Sequence, residues 1–302
     1  MLFFIPFRRI GSERPQSPTD FSSKSIGLGG GRVAPAWGAE VVSSNIVGYQ
    51  KVALAKGLNL VGSQFVQVGE GDVPFELSEL TNMKDQPSFD ESLNAQTTIR
   101  FFTGVGYDYY GWSGNLTVEN PDMAEELADE LELDDPSVLN NHWLNSSYEI
   151  SDEEALTGQG FWIYAANAGT ITMSGQVIED TTKSFPLVAG LNLVSCPWPI
   201  NLSMINITVD NGQPSFDSGM NAQTSIRVFT GVGYDYYGWS GNLTGENPDM
   251  AEELADELEI DDPSTLNYHW LDSSYSISEY EIPAGKGFWI YANKAGTVTF
   301  KR

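Results

Sequence analysis

The sequence predicts a mainly β chain of two tandem modules, each a β-sandwich or small barrel carrying one short amphipathic helix. Three observations predict it: an internal duplication, short aromatic runs punctuated by glycine, and one helical pattern per copy. The stretch FTGVGYDYYGWSGNLT occupies residues 102–117 and returns letter for letter at 229–244. GLNLV at 57–61 returns at 190–194, an offset of 133, and QPSFD at 86–90 returns at 213–217, an offset of 127. The second copy is therefore six residues shorter between these landmarks, and the offset then stays constant. It carries NPDMAEELADELE (120–132 and 247–259), HWL (142–144 and 269–271) and GFWIY (160–164 and 287–291). A repeat this long is a domain rather than a solenoid unit of ~20–50 residues. At 302 residues the chain has room for two such cores. The division reads as a leader over 1–39, module 1 over 40–180 and module 2 over 181–302.

Each module reads in order. Residues 46–54 and 58–68 are apolar strand-like runs hinged at Gly57. Residues 97–102 and 107–112 are rich in β-favouring residues, with Gly104, Gly106 and Gly111 between and within them. Residues 120–132 carry the helix. Asn120 suits an N-cap, Pro121 the first helical position, and Asp122, Glu125 and Glu126 the positive end of the dipole. Met123, Ala124, Leu127, Ala128 and Leu131 form one apolar stripe. Asp134, Asp135 and Pro136 stop it, because a residue before proline avoids the α region. Residues 160–165 and 169–178 read as a closing hairpin turning at 167–169, repeated in the second copy.

Net charge narrows the partners. The chain has 15 basic and 41 acidic residues, a net of −26. Arg8, Arg9, Arg14, Lys24 and Arg32 precede Glu40 against only Glu13 and Asp20, which leaves ten basic and 39 acidic residues beyond. Such a surface repels phosphate backbones, so no nucleic-acid partner is expected. Residues 1–39 begin apolar, turn basic, then become rich in Ser, Pro and Gly. A signal peptide has the reverse order, so this segment reads as a flexible leader or an atypical signal. No run reaches the ~18 apolar residues of a membrane span. The single cysteine, Cys196, forbids an intramolecular disulfide.

The segments VSSNIVGYQKVAL, GLNLVGSQF and GLNLVSCPW, with the closing GxGFWIYA and GTxT pair, resemble a group of poorly characterised secreted bacterial proteins. In that group one or two β-rich modules follow an export signal. The resemblance spans about residues 42–302 and implies export, with a role at the cell surface or in a matrix. It brings no catalytic residues.

No constellation for catalysis stands out. His142 and His269 are equivalent, each before a tryptophan, and read as packing or capping residues. Cys196 has no motif partner and reads as a structural thiol. Asp134, Asp135, Asp261 and Asp262 supply hard oxygen atoms for calcium, though no EF-hand pattern contains them; otherwise no cofactor is expected. Arg100 and Arg227 are the only arginines between Glu40 and Arg302, and each reads as half of an internal ion pair, with a ligand carboxylate or sugar as the sharper alternative. In the duplicated strand, Tyr107, Tyr109 and Trp112 are read against Asp108 and Tyr110 as two sets facing opposite ways. Tyr107, Tyr109 and Trp112, with Tyr234, Tyr236 and Trp239, are the candidates for an interface or a ligand.

The expected function is a non-enzymatic, exported structural or adhesive protein whose modules self-associate into arrays or filaments. The alternative is a tandem carbohydrate-binding protein using Tyr109, Trp112, Tyr236 and Trp239, with avidity from two sites.

Overall fold

Gly57 and Gly190 set the corner of each module. Both have positive φ, 98° and 101°, which glycine adopts without a Cβ clash. At each, a strand leaves one sheet and enters another. The computed structural model describes residues 47–68, 73–80, 83, 85–210 and 212–302. The leader expected over 1–39 lies outside the described residues.

Module 1 opens with β1 (Val47–Leu54) and β2 (Gly57–Gly62), followed by the short β3 (Phe75–Glu76). The duplicated stretch forms the hairpin β4 (Thr98–Phe102) and β5 (Tyr107–Trp112). Two helices follow, α1 (Leu116–Glu119) and α2 (Pro121–Glu130), then the short β6 (Trp143–Leu144) and β7 (Glu154–Ala155). β8 (Gly160–Ala165) and β9 (Gly169–Gln176) close it. Module 2 repeats the order with β10 (Thr182–Leu187), β11 (Gly190–Ser195), β12 (Leu202–Ser203) and β13 (Ile207–Val209). Its hairpin is β14 (Ser225–Phe229) and β15 (Tyr234–Trp239), its helices α3 (Leu243–Glu246) and α4 (Pro248–Glu257). It ends with β16 (Trp270–Leu271), β17 (Glu281–Ile282), β18 (Gly287–Ala292) and β19 (Gly296–Lys301). The fold is mainly β, as the sequence predicts, and sandwich-like: no sheet closes into a barrel. The main sheets are five-stranded, in orders β2-β8-β4-β5-β6 and β11-β18-β14-β15-β16. Smaller sheets, β1-β9 and β10-β19-β13, complete each sandwich.

The expected closing hairpin does not form. β8 pairs with β2 from Gly57↔Ala165 to Gly62↔Gly160, and β9 pairs with β1 from Val47↔Gln176 to Leu54↔Gly169. The opening and closing segments thus make one long antiparallel ribbon that bends between two sheets, a corner like those of orthogonal sandwiches. Asn59 staples the bend. Its Oδ1 accepts the Ala55 N–H at 2.8 Å, and its Nδ2 donates to the carbonyls of Ala55 (2.8 Å) and Gly57 (2.9 Å). Asn192 repeats this at Val188 and Gly190. Across the bend the Asn167 N–H is taken by Gln86 Oε1 (3.1 Å), and Gln86 Nε2 donates back to the Asn167 carbonyl (2.8 Å). With those groups satisfied by another loop, nothing draws β8 and β9 together.

The helix is where the pattern places it, with three differences. An extra turn, α1, precedes it. Asn120 is not an N-cap through its side chain: Nδ2 donates to Ser88 Oγ at 3.1 Å and to the Phe89 carbonyl, tying the helix to a loop. The helix also ends at Glu130, ahead of the stop at 134–136, and Glu132 turns out at φ 54°. Ala124 and Leu127 bury themselves against Phe89, Leu116, Leu139 and Leu144.

Each sandwich has a core, around Ile99, Trp112, Trp143 and Phe161 in module 1 and Ile226, Trp239, Trp270 and Phe288 in module 2, and Val66 and Ile178 of module 1 join the second. A further cluster joins the modules: Leu60, Trp162, Leu193 and Trp289, flanked by Phe102, Tyr107, Phe229 and Tyr234. The Trp162 and Phe229 rings meet edge to face at 5.0 Å, and Phe102 and Trp289 do so at 4.9 Å. The Gly62 N–H donates to the Gly285 carbonyl (3.0 Å), and the Ser195 N–H to the Gly158 carbonyl (2.7 Å). Every one of these contacts has its mirror under the repeat offsets. The modules therefore pack about a local two-fold axis, like an isologous dimer within one chain. Residues 43–302 belong to one compact unit.

Candidate functional site

The face of each five-stranded sheet turned away from its core carries the duplicated aromatic strand. In module 1 strict alternation along β4 and β5 puts Thr98, Arg100, Phe102, Tyr107 and Tyr109 on this face and buries Ile99, Phe101, Tyr110 and Trp112. This corrects the two expected sets: Trp112 shares its side with Asp108 and Tyr110, not with Tyr107 and Tyr109. Trp112 and Trp239 are 0% and 1% exposed and pack at a tilt against Trp143 and Trp270, with ring centres at 5.1 and 4.9 Å. They are core residues, out of reach of a ligand.

The tyrosines divide by position. Tyr107 and Tyr234 flank the cluster between the modules, where burial raises the Tyr107 hydroxyl above its ordinary pKa. Tyr109 and Tyr236 stand 52% and 56% exposed.

Arg100 sits directly across from Tyr109 on β5 and Trp162 on β8, two residue pairs along the ladder from Thr98 and Tyr164. Its guanidinium lies 5.2 Å from the Tyr109 ring centre and 5.7 Å from that of Tyr164. Arg227 repeats this with Tyr236 (5.4 Å) and Tyr291 (5.2 Å). The expected ion pairs are absent: neither arginine has a carboxylate partner among the described residues. The aromatic faces provide the negative potential instead. Arg100 Nε donates to Thr98 Oγ1 at 3.2 Å, whereas the buried Nε of Arg227 has no hydrogen-bond partner.

Beside Arg100 opens a shallow cavity of about 370 Å³, lined by Lys56, Asp90, Asn94, Gln96, Thr98 and Tyr164 among others. Asp90 Oδ1 accepts the backbone N–H groups of Ser92 (2.9 Å) and Asn94 (3.2 Å), which lowers its pKa and fixes the loop beneath the cavity. One aromatic ring (Tyr164), the planar Arg100 guanidinium, amides and a hydroxyl line it, and Tyr109 stands on the same sheet face across from Arg100. That set can stack on the C–H face of a sugar ring and hydrogen-bond its hydroxyls.

Comparison with family models, curated proteins and solved structures finds no match. The reading of the site rests on its own geometry.

The other candidates lie elsewhere. Asp135 and Asp262 accept the N–H groups of Ser137 (2.8 Å) and Ser264 (2.9 Å) at the start of short 3₁₀ turns. The serine hydroxyls first, and these backbone N–H groups second, lower their pKa values. Asp135 and Asp262 thus cap turns, and no cluster of three or more metal-ligating side chains, with Asp134 and Asp261 counted, occurs among the described residues. His142 and His269 are partly buried, which lowers their pKa values. Cys196 is fully buried, and burial pushes its thiol up to about 11. No helix among the described residues is long and apolar enough to cross a membrane.

Tyr164, Tyr291 and Lys56 belong to the site without having been candidates. A signal for the tyrosines was present: GFWIY is repeated, and its alternation sends Trp and Tyr to the face opposite Phe and Ile.

Proposed function

We propose that this chain is a non-enzymatic, exported binding protein of the cell surface or matrix, whose two modules each offer a Tyr–Arg–Tyr face to carbohydrate. The observation that carries the reading is the pair of equivalent arginines, each held between partly exposed tyrosines with no carboxylate partner among the described residues. Two sites on one compact unit supply avidity on a polymer, where the second contact is made at high local concentration. Tyr109→Ala with Tyr236→Ala tests it by affinity electrophoresis in soluble polysaccharides. Each ring contributes about 1 kcal/mol, so the double variant should lose most of its retardation while keeping its thermal midpoint. Unchanged retardation, or none in the native protein with any neutral or acidic glycan, would remove the carbohydrate reading.

A second reading, self-association into arrays, is favoured by the hairpin tips. Val105 and Val232 are 97% and 100% exposed, and Tyr49 on β1 is 74% exposed. Light scattering at low and high salt, with and without calcium, separates the two. Growth into large particles supports arrays, and a monomer throughout supports the binding protein.

A further inference from the structure

The cradles carry a preference for charge as well as for shape. A guanidinium without a carboxylate partner among the described residues is an anomaly in a chain with 41 acidic and 15 basic residues. We infer that each cradle takes a carboxylate-bearing sugar unit set in an otherwise neutral glycan, and that module 1 holds it more tightly than module 2. This deepens the carbohydrate reading and rests on it.

The planar fork of Arg100 has its Nε committed to Thr98, which leaves the two terminal amino groups to meet a carboxylate end-on. In module 2 the buried Nε of Arg227 is itself without a partner. The flanking tyrosines hold each guanidinium in place, so little side-chain entropy is lost on binding. Lys56 adds a second cation to the lining of the module 1 cavity. The offset of 133 places Ala189 at the equivalent position in module 2, which is the ground for the ranking. Asn94, Gln96 and Thr98 complete the lining with amide and hydroxyl groups suited to sugar hydroxyls. Asp90 also lines it, and its Oδ1 is occupied by two backbone N–H groups.

The charge of the whole molecule then selects among acidic glycans. A net of −26 repels a polymer that bears a charge on every unit. An isolated carboxylate on a neutral backbone feels the local cations at close range, while the more distant acidic residues are screened beyond ~8 Å at physiological ionic strength.

The test titrates the full chain with three probes: glucuronoxylan, in which isolated uronates decorate a neutral backbone; the same polymer with its carboxyls reduced; and polygalacturonate. The native protein should prefer glucuronoxylan over the reduced polymer by at least about tenfold, the scale of one charge-assisted contact. It should also prefer it over polygalacturonate. Arg100→Gln with Arg227→Gln should abolish the preference while leaving residual binding to the reduced polymer. Of the single variants, Arg100→Gln should lose more, and Lys56→Ala should weaken glucuronoxylan binding. Equal affinity of the native protein for the native and reduced polymers overturns the inference and leaves the carbohydrate reading standing. Binding to none of the three overturns the inference, and retardation by other glycans then decides the carbohydrate reading. Tighter binding to polygalacturonate overturns the requirement for isolated charge. The comparison of polymers on the native protein decides the matter even if an arginine variant does not fold.

Discussion

Tyr110 donates to the Glu153 carboxylate at 2.9 Å, and this bond, after burial, raises its pKa. In module 2 the partner position holds Tyr280 instead, whose ring stacks on Tyr237 at 5.5 Å, and burial first and Asp235 second push Tyr237 up to about 12. A phenol whose pKa is raised in the folded state favours the neutral form there. The stability it contributes is complete below its ordinary value of 10.0 and is lost as pH rises through the folded value. Stability should therefore hold level up to about pH 10 and fall between there and about pH 12. Phenolate absorbance should show a late-titrating group of tyrosines whose ionisation coincides with loss of the near-ultraviolet circular dichroism. Coincidence of all tyrosines in one early step would contradict it. Glu153→Gln should bring Tyr110 into titration earlier without moving Tyr237. At this scale the sequence was only partly legible. Glycine corners, the fully buried cysteine and the turn carboxylates follow from residue type. The arginines were misread because a basic residue in an acidic module suggests a carboxylate neighbour, whereas the strand register put tyrosines on both sides.

At the scale of elements, α2 and α4 give a direct comparison, because PDMAEELADE is identical in both and buries Leu127 and Leu254 completely. Leu127 packs in a cluster with Phe89 and Leu116, and Leu254 in one with Phe216 and Leu243. Leu127→Ala and Leu254→Ala should each cost about 2–5 kcal/mol, and the two costs should agree within about 1 kcal/mol. Urea unfolding of the single variants checks this; a large difference would mean that the modules do not support their helices equally. The helix was legible because a 3.6-residue period is local information. The strands β8 and β9 were legible as strands but not as partners. A hairpin and a sheet-crossing ribbon have the same local pattern, and only the distant pairing of β1 and β2 tells them apart. The split of the aromatic face into an inter-module half and an exposed half has the same cause, since Tyr107 and Tyr109 differ only in what lies across from them.

The whole molecule is built on its local two-fold axis, and Gly62 and Ser195 sit on opposite sides of it. A Cβ on Gly62 would lie only 2.0 Å from the Ser195 Cβ, so the first copy must be glycine while the second is serine. Ser195 uses the space: its hydroxyl donates to the carbonyls of Ser63 and Gln159, both at 3.2 Å. Two identical modules could not both carry serine here, so the duplication has diverged where the copies touch. Gly62→Ser should therefore destabilise by about 1–3 kcal/mol through overpacking. Ser195→Gly removes a hydroxyl and its bonds and should cost about 1 kcal/mol. The exchange of both, Gly62→Ser with Ser195→Gly, should recover most of the loss, because the two-fold axis places the new hydroxyl near the Lys286 carbonyl, 3.4 Å from the would-be Cβ. Denaturant midpoints of the four proteins form a double-mutant cycle, and a favourable coupling of about 1–3 kcal/mol is expected. Additive costs would mean that the residues do not meet, and the modules would then have to be joined in some other way than through Trp162, Phe229, Phe102 and Trp289. A positive coupling fixes the packing that holds the two Tyr–Arg–Tyr faces within one compact unit.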